Sequence, residues 1–151
     1  MAGEKGQAFS TGILKAIFTA VFSDASITNL FANSGTALTN LYVALHSADP
    51  GATGSQTTNE VTTGQYTGYT RVTVARTTGG FTVGTATVSP AATISFPPCS
   101  GGSGVTATYF SIGTNLSGAG NLLYAGPISP SIVIGNGVTP QLTTSSAITE
   151  A

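Results

Sequence analysis

The chain has 151 residues, and only nine carry a formal charge: four Lys or Arg and five Asp or Glu, for a net charge of −1. This length suits one domain, and a hydrophobic content of 40% with almost no net charge excludes an intrinsically disordered chain. Four scattered cations provide no basic patch for phosphate contacts, so we expect no direct binding of nucleic acid. The single cysteine, Cys99, excludes an intramolecular disulfide and a multi-cysteine zinc site.

The amino-terminal segment carries the helical pattern of the chain. Ser10 or Thr11 is available to cap a helix start. Lys15 interrupts the apolar run, which is too short for a membrane span and unlike a secretory signal. A second helical turn is expected over residues 26–31. The first helix rests on five apolar residues with i, i+3, i+4, i+7, i+8 spacing: Leu14, Ile17, Phe18, Val21 and Phe22.

These patterns divide the chain into an amino-terminal helical arm, residues 1–36, and a β-domain, residues 37–151. Two interpretations of the arm remain open. Its apolar face either packs on the core of its own domain or docks on a neighbouring subunit.

From Asn40 onward, β-branched residues alternate with small polar ones between frequent Gly, Pro and Asn. The segment 41–46 should turn Leu41, Val43 and Leu45 toward the core, because alternate side chains of a strand share a face. Candidate strands at this spacing predict an all-β sandwich or barrel. They span residues 41–46, 69–76, 81–88, 93–96, 106–112, 122–125, 131–134 and 147–150. Segment 106–112 has large apolar groups on both faces and should lie in the middle of a sheet.

Few residues here are suited to catalysis or metal binding. His46 is the only histidine, and we interpret it as a strand-end residue that hydrogen-bonds the adjacent turn rather than as a general base. Asp49 and Glu60 are too few carboxylates for a calcium shell. The glycine-rich run 101–104 lacks the Lys-Ser/Thr of a phosphate loop. The sequence therefore predicts no catalytic residues, no metal site and no cofactor.

The charges are unevenly distributed. Residues 77–149 form a stretch of 73 residues with no formal charge. Ser and Thr can be buried against a neighbouring subunit at little desolvation cost, provided that their hydroxyls find partners, whereas Lys and Glu resist burial. The composition thus favours packing against copies of this chain or other proteins, with a low-charge monomeric sandwich as the alternative. Residues 51–68, the longest segment without a strand pattern, are a candidate contact loop.

Several blocks of the sequence resemble a family of tailed-bacteriophage structural proteins. The most specific is LYVALHSADPG at residues 41–51, followed by TNEV at 58–61 and YTGYTRV at 66–72. Comparable blocks occur at residues 94–99, 108–113 and 117–126. The resemblance covers about residues 38–150. Members are often labelled tail-fibre or virion proteins, and some resemble cement (decoration) proteins with a jelly-roll fold.

The resemblance implies a jelly-roll-like antiparallel β-sandwich that acts in the virion without catalysis. The helical pattern of the first 36 residues adds a short amino-terminal helical segment to this fold. We expect a capsid cement protein on the capsid exterior that is synthesised in the bacterial cytoplasm, clamps the major capsid protein and self-associates as a homotrimer. It should contact no nucleic acid and no membrane. The alternative is a tail-fibre or tail-tip receptor-binding protein.

The candidate contact surfaces are the amino-terminal segment and the 51–68 loop. Arg71 and Arg76 could pair with Asp49 or Glu60 within one protomer or across an interface. The interface candidates are Leu14, Ile17, Phe18, Val21, Phe22, Asn59, Glu60, Arg71 and Arg76.

Overall fold

The computed structural model describes residues 7–21 and 37–150, with only the backbone described for residues 7–9. Helix α1 spans Gln7–Phe18. Nine strands follow: β1 Asn40–His46, β2 Val72–Ala75, β3 Phe81–Val83, β4 Thr87–Pro90, β5 Ile94–Ser95, β6 Val105–Gly113, β7 Leu122–Ile134, β8 Gln141–Leu142 and β9 Ile148–Thr149.

The strands form three antiparallel sheets, in the orders β2-β1-β6-β7, β3-β4-β9 and β5-β8. The pairs β6·β7, β5·β8 and β4·β9 are nested in sequence. Such nesting arises when one long antiparallel hairpin folds over into two layers, as in a jelly roll. The predicted all-β sandwich with one short helix near its amino terminus is confirmed.

The core lies between the four-stranded sheet and the two smaller sheets. Leu41, Val43 and Leu45 are at most 1% exposed, which confirms the predicted inward face of β1. Val43 pairs with Ile112 and Leu45 with Phe110, so β6 contributes to the same face. An internal cavity of about 10 Å³ is lined by side chains from all three sheets. A void this small holds at most about one water molecule.

Strand β6 has a hydrogen-bonded neighbour strand on each of its edges. It pairs with β1 on one edge and β7 on the other, which confirms the prediction that it lies inside a sheet. Residues 47–71 contain no strand and fold back along β1, where Val61 N donates to Leu45 O over 2.9 Å and Ser47 N donates to Asn59 O over 2.9 Å. This segment, residues 47–71, is here called the long loop, and it extends the sheet beside β1.

Two predicted segments divide the chain differently from the structure, and a third, 69–76, forms a strand only over Val72–Ala75. Segment 81–88 is a hairpin of β3 and β4, closed where Gly84 N donates to Thr87 O over 2.8 Å. Segments 122–125 and 131–134 are the two ends of one strand, β7, and both pair with β6. Between them, residues 128–131 stand opposite the single residue Thr108. This local excess of β7 residues breaks the alternation on which the sequence prediction depended.

The helix packs against β3 and β4. Leu14 and Phe18 lie four residues apart, one helical turn, and are fully buried. The Phe18 ring meets Phe81 edge-on, with 5.0 Å between centroids, and Tyr124 at 5.5 Å. Within the described ranges, no helix combines the length and apolarity that a membrane span needs.

The helix boundaries differ from those predicted. Ser10 and Thr11 lie inside the helix, which begins at Gln7, and Thr11 Oγ1 donates to Thr85 O. A tertiary partner on the β3–β4 turn therefore takes the hydroxyl that was expected to cap the helix start. The helix ends at Phe18. The second helical turn predicted at residues 26–31 lies outside the described residues.

The carboxyl end of α1 is fixed by backbone conformation and by Arg76. Ala20 has a positive φ of 53°, and the Lys15 carbonyl accepts hydrogen bonds from Thr19 N at 3.0 Å and Val21 N at 3.3 Å. Arg76 Nε donates to Ile17 O over 2.6 Å, and its terminal nitrogens donate to the carbonyls of Ala16 and Leu38. A cation here also opposes the partial negative charge at a helix carboxyl end.

Candidate functional site

The polar centre of the molecule begins with Arg71 and Glu60. Arg71 precedes β2, and Glu60 forms an isolated antiparallel bridge with His46 at the end of β1. Arg71 Nε donates to Glu60 Oε1 and Arg71 Nη2 to Glu60 Oε2, each over 2.7 Å. The side chains are 3% and 13% exposed. This bidentate geometry is among the stronger charge-assisted contacts in proteins.

Arg71 also binds the turn between β6 and β7, residues 114–121, here called the 114–121 loop. Arg71 Nη1 donates to Asn115 O and Arg71 Nη2 to Gly118 O, both over 2.8 Å. Gln56, which is fully buried, accepts from Asn115 N at Oε1 over 2.9 Å and donates from Nε2 to Asn115 O over 3.2 Å. Gln56 N donates to Gly120 O over 3.2 Å. The side chains of Arg71 and Gln56 thus anchor the loop backbone at Asn115 and Gly118, and the Gln56 backbone anchors it at Gly120.

Tyr69 completes this cluster. Its hydroxyl donates to Glu60 Oε1 over 3.0 Å and accepts from Leu45 N over 3.1 Å. Burial, reinforced by the nearby Glu60 carboxylate, raises the pKa of Tyr69 far above its usual value. The phenol therefore stays protonated and continues to donate to the carboxylate.

His46 forms a second buried group with Ser111 and Thr58. Its Nδ1 lies 2.8 Å from Thr58 O, and its Nε2 lies 2.7 Å from Ser111 Oγ. Burial lowers the pKa of His46 below 6.5, partly offset by the Thr58 carbonyl and by Glu60. In the neutral ring, Nδ1 carries the proton that the Thr58 carbonyl accepts, so Nε2 accepts from the Ser111 hydroxyl.

A hydroxyl bonded to an imidazole is also the arrangement of a nucleophile and its base. Here, however, His46 and Ser111 are both 0% exposed, so solvent does not reach Ser111 Oγ. The three groups instead tie β1, the long loop and β6 together. The expectation that His46 bonds the adjacent turn is wrong in its partners: Thr58 lies further along the loop after β1, and Ser111 lies on β6.

The predicted interface residues of the helix fall into different environments. Leu14 and Phe18 are buried in the protein's own core, and Ile17 packs against that core. Val21 is 39% exposed, and Phe22 lies outside the described residues. The burial of Leu14 and Phe18 fits the interpretation in which the apolar face of the arm packs on the core of its own domain.

The other candidates have partners within the chain. Glu60 and Arg71 bind each other, which answers the pairing that the sequence left open. Arg76 donates to carbonyls at the end of α1. Asn59 is exposed, has a positive φ of 56° and donates from Nδ2 to Asp49 O over 2.8 Å. A contact with another subunit stays a prediction for all nine residues.

The two carboxylates considered for calcium face different partners. Asp49 Oδ1 accepts from Gly51 N over 2.8 Å, whereas Glu60 faces Arg71. In the part of the chain that the structure describes, no group of three or more His, Cys, Asp or Glu side chains is placed to hold a metal ion.

Sequence reasoning missed the role of the 114–121 loop and the burial of Gln56, although it named Arg71. Leu116 is 50% exposed at its tip. The available signal was an isolated leucine among turn-forming residues, in the run TNLSGAGN. Nothing local marks Gln56 for burial, because its side-chain partner Asn115 is 59 residues away.

The sequence profile of a phage protein family, described as podophage GP4 fiber I protein gp80, matches residues 18–149. That range runs from the last residue of α1 through β9 and includes the Glu60–Arg71 pair and the 114–121 loop. The chain belongs to the podophage GP4 fiber I protein gp80 family. No curated protein matches it. Membership in the gp80 family identifies a structural protein of a bacteriophage virion, in agreement with the resemblance seen in the sequence.

Proposed function

We propose that this protein is a fibre subunit of a tailed-phage particle and that it binds other virion proteins without catalysing a reaction. The observation that carries the proposal is the family match over residues 18–149, because the family description names a fiber protein. The match includes every strand of the sandwich, so the fibre role applies to the whole folded body.

The surface composition supports a role in assembly. The uncharged stretch, residues 77–149, forms seven strands, from β3 through β9. Its exposed side chains are largely Ser, Thr and small apolar residues. Such a surface can be covered by a neighbouring subunit without removing charges from water.

The buried chemistry supports a role without catalysis. His46 and Ser111 are closed to solvent, and the Glu60 carboxylate is held by Arg71 and Tyr69. A catalytic centre needs titratable groups that converge on a space which substrate can enter. In the part of the chain that the structure describes, His46, Ser111 and Glu60 are all held in structural hydrogen bonds.

The capsid cement role expected from the sequence is the second candidate. One observation favours it: the nine strands have at most 13 residues each and fold into one sandwich rather than an elongated shaft. In this role the protein would bind the major capsid protein on the capsid exterior, and a homotrimer could span adjacent capsid subunits.

Copy number and position in intact particles distinguish the two roles. Cryo-electron microscopy of particles carrying a tagged copy would locate the protein, and quantitative mass spectrometry would count it against the major capsid protein. We expect a few copies confined to the tail. Hundreds of copies spread over the shell would replace the fibre role with the cement role.

The absence of catalysis is tested with particles that carry Ser111→Ala. The variant removes the hydroxyl beside His46 and leaves one buried hydrogen bond unmade, so a small loss of stability is expected. Thr108→Ala, which removes another β6 hydroxyl bonded to Ser47 O, is the matched control. A loss of infectivity specific to Ser111→Ala, with normal particle composition, would contradict a purely structural role.

A further inference from the structure

The turn between β7 and β8 contains Asn136 followed by Gly137. The chain has seven asparagines, and this is the only one that a glycine follows. Val138 N donates to Gly135 O over 3.0 Å, which closes a four-residue β-turn with Asn136 and Gly137 at its centre. Gly137 has a φ of 85°, which suits a glycine at the third position of a type II turn. Asn136 and Gly137 are both exposed to solvent.

An asparagine followed by a glycine can react with its own backbone. The glycine nitrogen, once it has lost its proton to a base, attacks Cγ of the asparagine, and the bond from Cγ to Nδ2 breaks with release of ammonia. Glycine has no Cβ to hinder this attack. Water then opens the cyclic imide at either of its carbonyls, so that the side-chain amide is replaced by the carboxylate of aspartate or isoaspartate.

The backbone nitrogen that would make this attack is hydrogen-bonded in the structure. Gly137 N donates to Cys99 O over 2.7 Å, and Cys99 N donates to Val138 O over 2.8 Å. Cys99 is 1% exposed. These bonds continue the pairing of β5 with β8, since Phe96 N donates to Pro140 O over 2.9 Å between the two strands and this turn. The nitrogen of Gly137 therefore belongs to an ordered backbone ladder.

The hydrogen bond to Cys99 opposes the first step of the reaction. An N–H that donates to a carbonyl loses its proton to a base less readily than a free one. The nitrogen of Gly137 is also held beside Cys99 O instead of turning toward Cγ of Asn136. The reaction therefore needs a local opening in which the Gly137 N–H leaves the Cys99 carbonyl, and such openings become rarer as the local structure becomes more stable.

We propose that Asn136 is a site of spontaneous deamidation and that the hydrogen bond from Gly137 N to Cys99 O sets its rate in the folded protein. The product carries a carboxylate at residue 136, inside the stretch 77–149 that has no formal charge. Isoaspartate also adds one carbon atom to the main chain within the turn. The reaction is a property of the chain itself and is independent of whether the chain is part of a fibre or a capsid shell.

The test measures deamidation of the purified full chain by peptide mass spectrometry. The chain is incubated in mildly alkaline buffer, with and without enough urea to unfold it. We expect Asn136 to deamidate about tenfold or more slowly in the folded chain than in urea. Asn121, which Leu122 follows, is the internal control and should react far more slowly than Asn136 in urea, because the leucine side chain hinders the attack. Equal rates for Asn136 in the folded and unfolded chains would overturn the proposal.

Hydrogen exchange distinguishes the bond to Cys99 from other causes of protection. Exchange of the Gly137 amide, followed by NMR in the same buffer, needs the same opening, so the fold should slow exchange and deamidation by factors that agree within about threefold. Cys99→Ala, which removes the buried Sγ that donates to Gly101 O, should accelerate both reactions by a common factor. Thr139→Ala, at an exposed position beside the turn, is the matched control and should change neither. Deamidation that is slowed while the Gly137 amide exchanges freely, or accelerated by Cys99→Ala without a matching rise in exchange, would contradict the proposal.

Discussion

Arg71 and Glu60 are joined by two parallel hydrogen bonds, each 2.7 Å long, in a nearly buried pair. Glu60 comes from the long loop after β1, and Arg71 precedes β2. The same guanidinium reaches the 114–121 loop through Asn115 O and Gly118 O. One side chain thus joins two parts of the loop between β1 and β2 to the 114–121 loop, where Asn115 is 44 residues away in sequence. The chain has very few ions to form such contacts.

Removing one partner of this pair should be strongly destabilising. Arg71→Ala leaves the Glu60 carboxylate buried without its cation, and we expect the free energy of unfolding to fall by about 3–5 kcal/mol in urea denaturation. Lys15→Ala, which removes a cation from the half-buried face of α1, should change it by much less. The double variant Glu60→Leu/Arg71→Met should be more stable than Arg71→Ala, because no unpaired charge remains. Equal losses in both variants would mean that charge burial is not the cause.

Gly113 should not tolerate a side chain. A Cβ at this position would overlap Cδ and Nε2 of Gln56, which is fully buried and held by the 114–121 loop. We expect Gly113→Ala to lower the free energy of unfolding by about 1–3 kcal/mol through overpacking. Gly135→Ala is the control, since a Cβ there meets nothing within 4 Å.

The same substitution in a Gln56→Ala background separates overpacking from other causes. With the Gln56 amide removed, the added methyl group has space, and the penalty of Gly113→Ala should shrink by about 0.5–3 kcal/mol. An unchanged penalty in this double-mutant cycle would show that contact with Gln56 is not responsible.

Local periodicity correctly predicted the strands in which core-facing residues alternate with residues of the opposite face. Leu41, Val43 and Leu45 could be placed in the core because each is separated from the next by one residue of the opposite face. Strand β8 was missed because Leu142 is its only apolar residue. The candidate segments around the equally short β5 and β9 each contain two apolar residues. The pairing of Glu60 with Arg71 was one of several open choices, because the conformation of the loop between them decides it. Gln56 was missed because its burial depends on a turn 59 residues away.

Ala20 offers a stabilising substitution. Its φ of 53° lies in the left-handed region, where an L side chain is strained by roughly 1–2 kcal/mol and glycine is not. We expect Ala20→Gly to raise the free energy of unfolding by up to about 1 kcal/mol, which is a rise in Tm of about 2–4 °C for a chain of this size. Ala16→Gly, inside α1, should lower stability by about 1 kcal/mol. If both substitutions destabilised the protein, the left-handed conformation of Ala20 would not limit its stability.

His46 should make the protein less stable in mild acid. Burial lowers the pKa of the folded-state imidazole below 6.5, so below about pH 6.5 the unfolded chain binds a proton that the folded chain does not. The stability contributed by neutral His46 is present above that pH. It declines as the pH falls toward the folded-state pKa, by at most about 1.4 kcal/mol per pH unit. Urea denaturation between pH 7.5 and 5.5 measures this slope, and the window lies above the usual range of carboxylate titration. His46→Gln, which removes the only histidine, should abolish the slope, whereas an unchanged slope would assign it to another group.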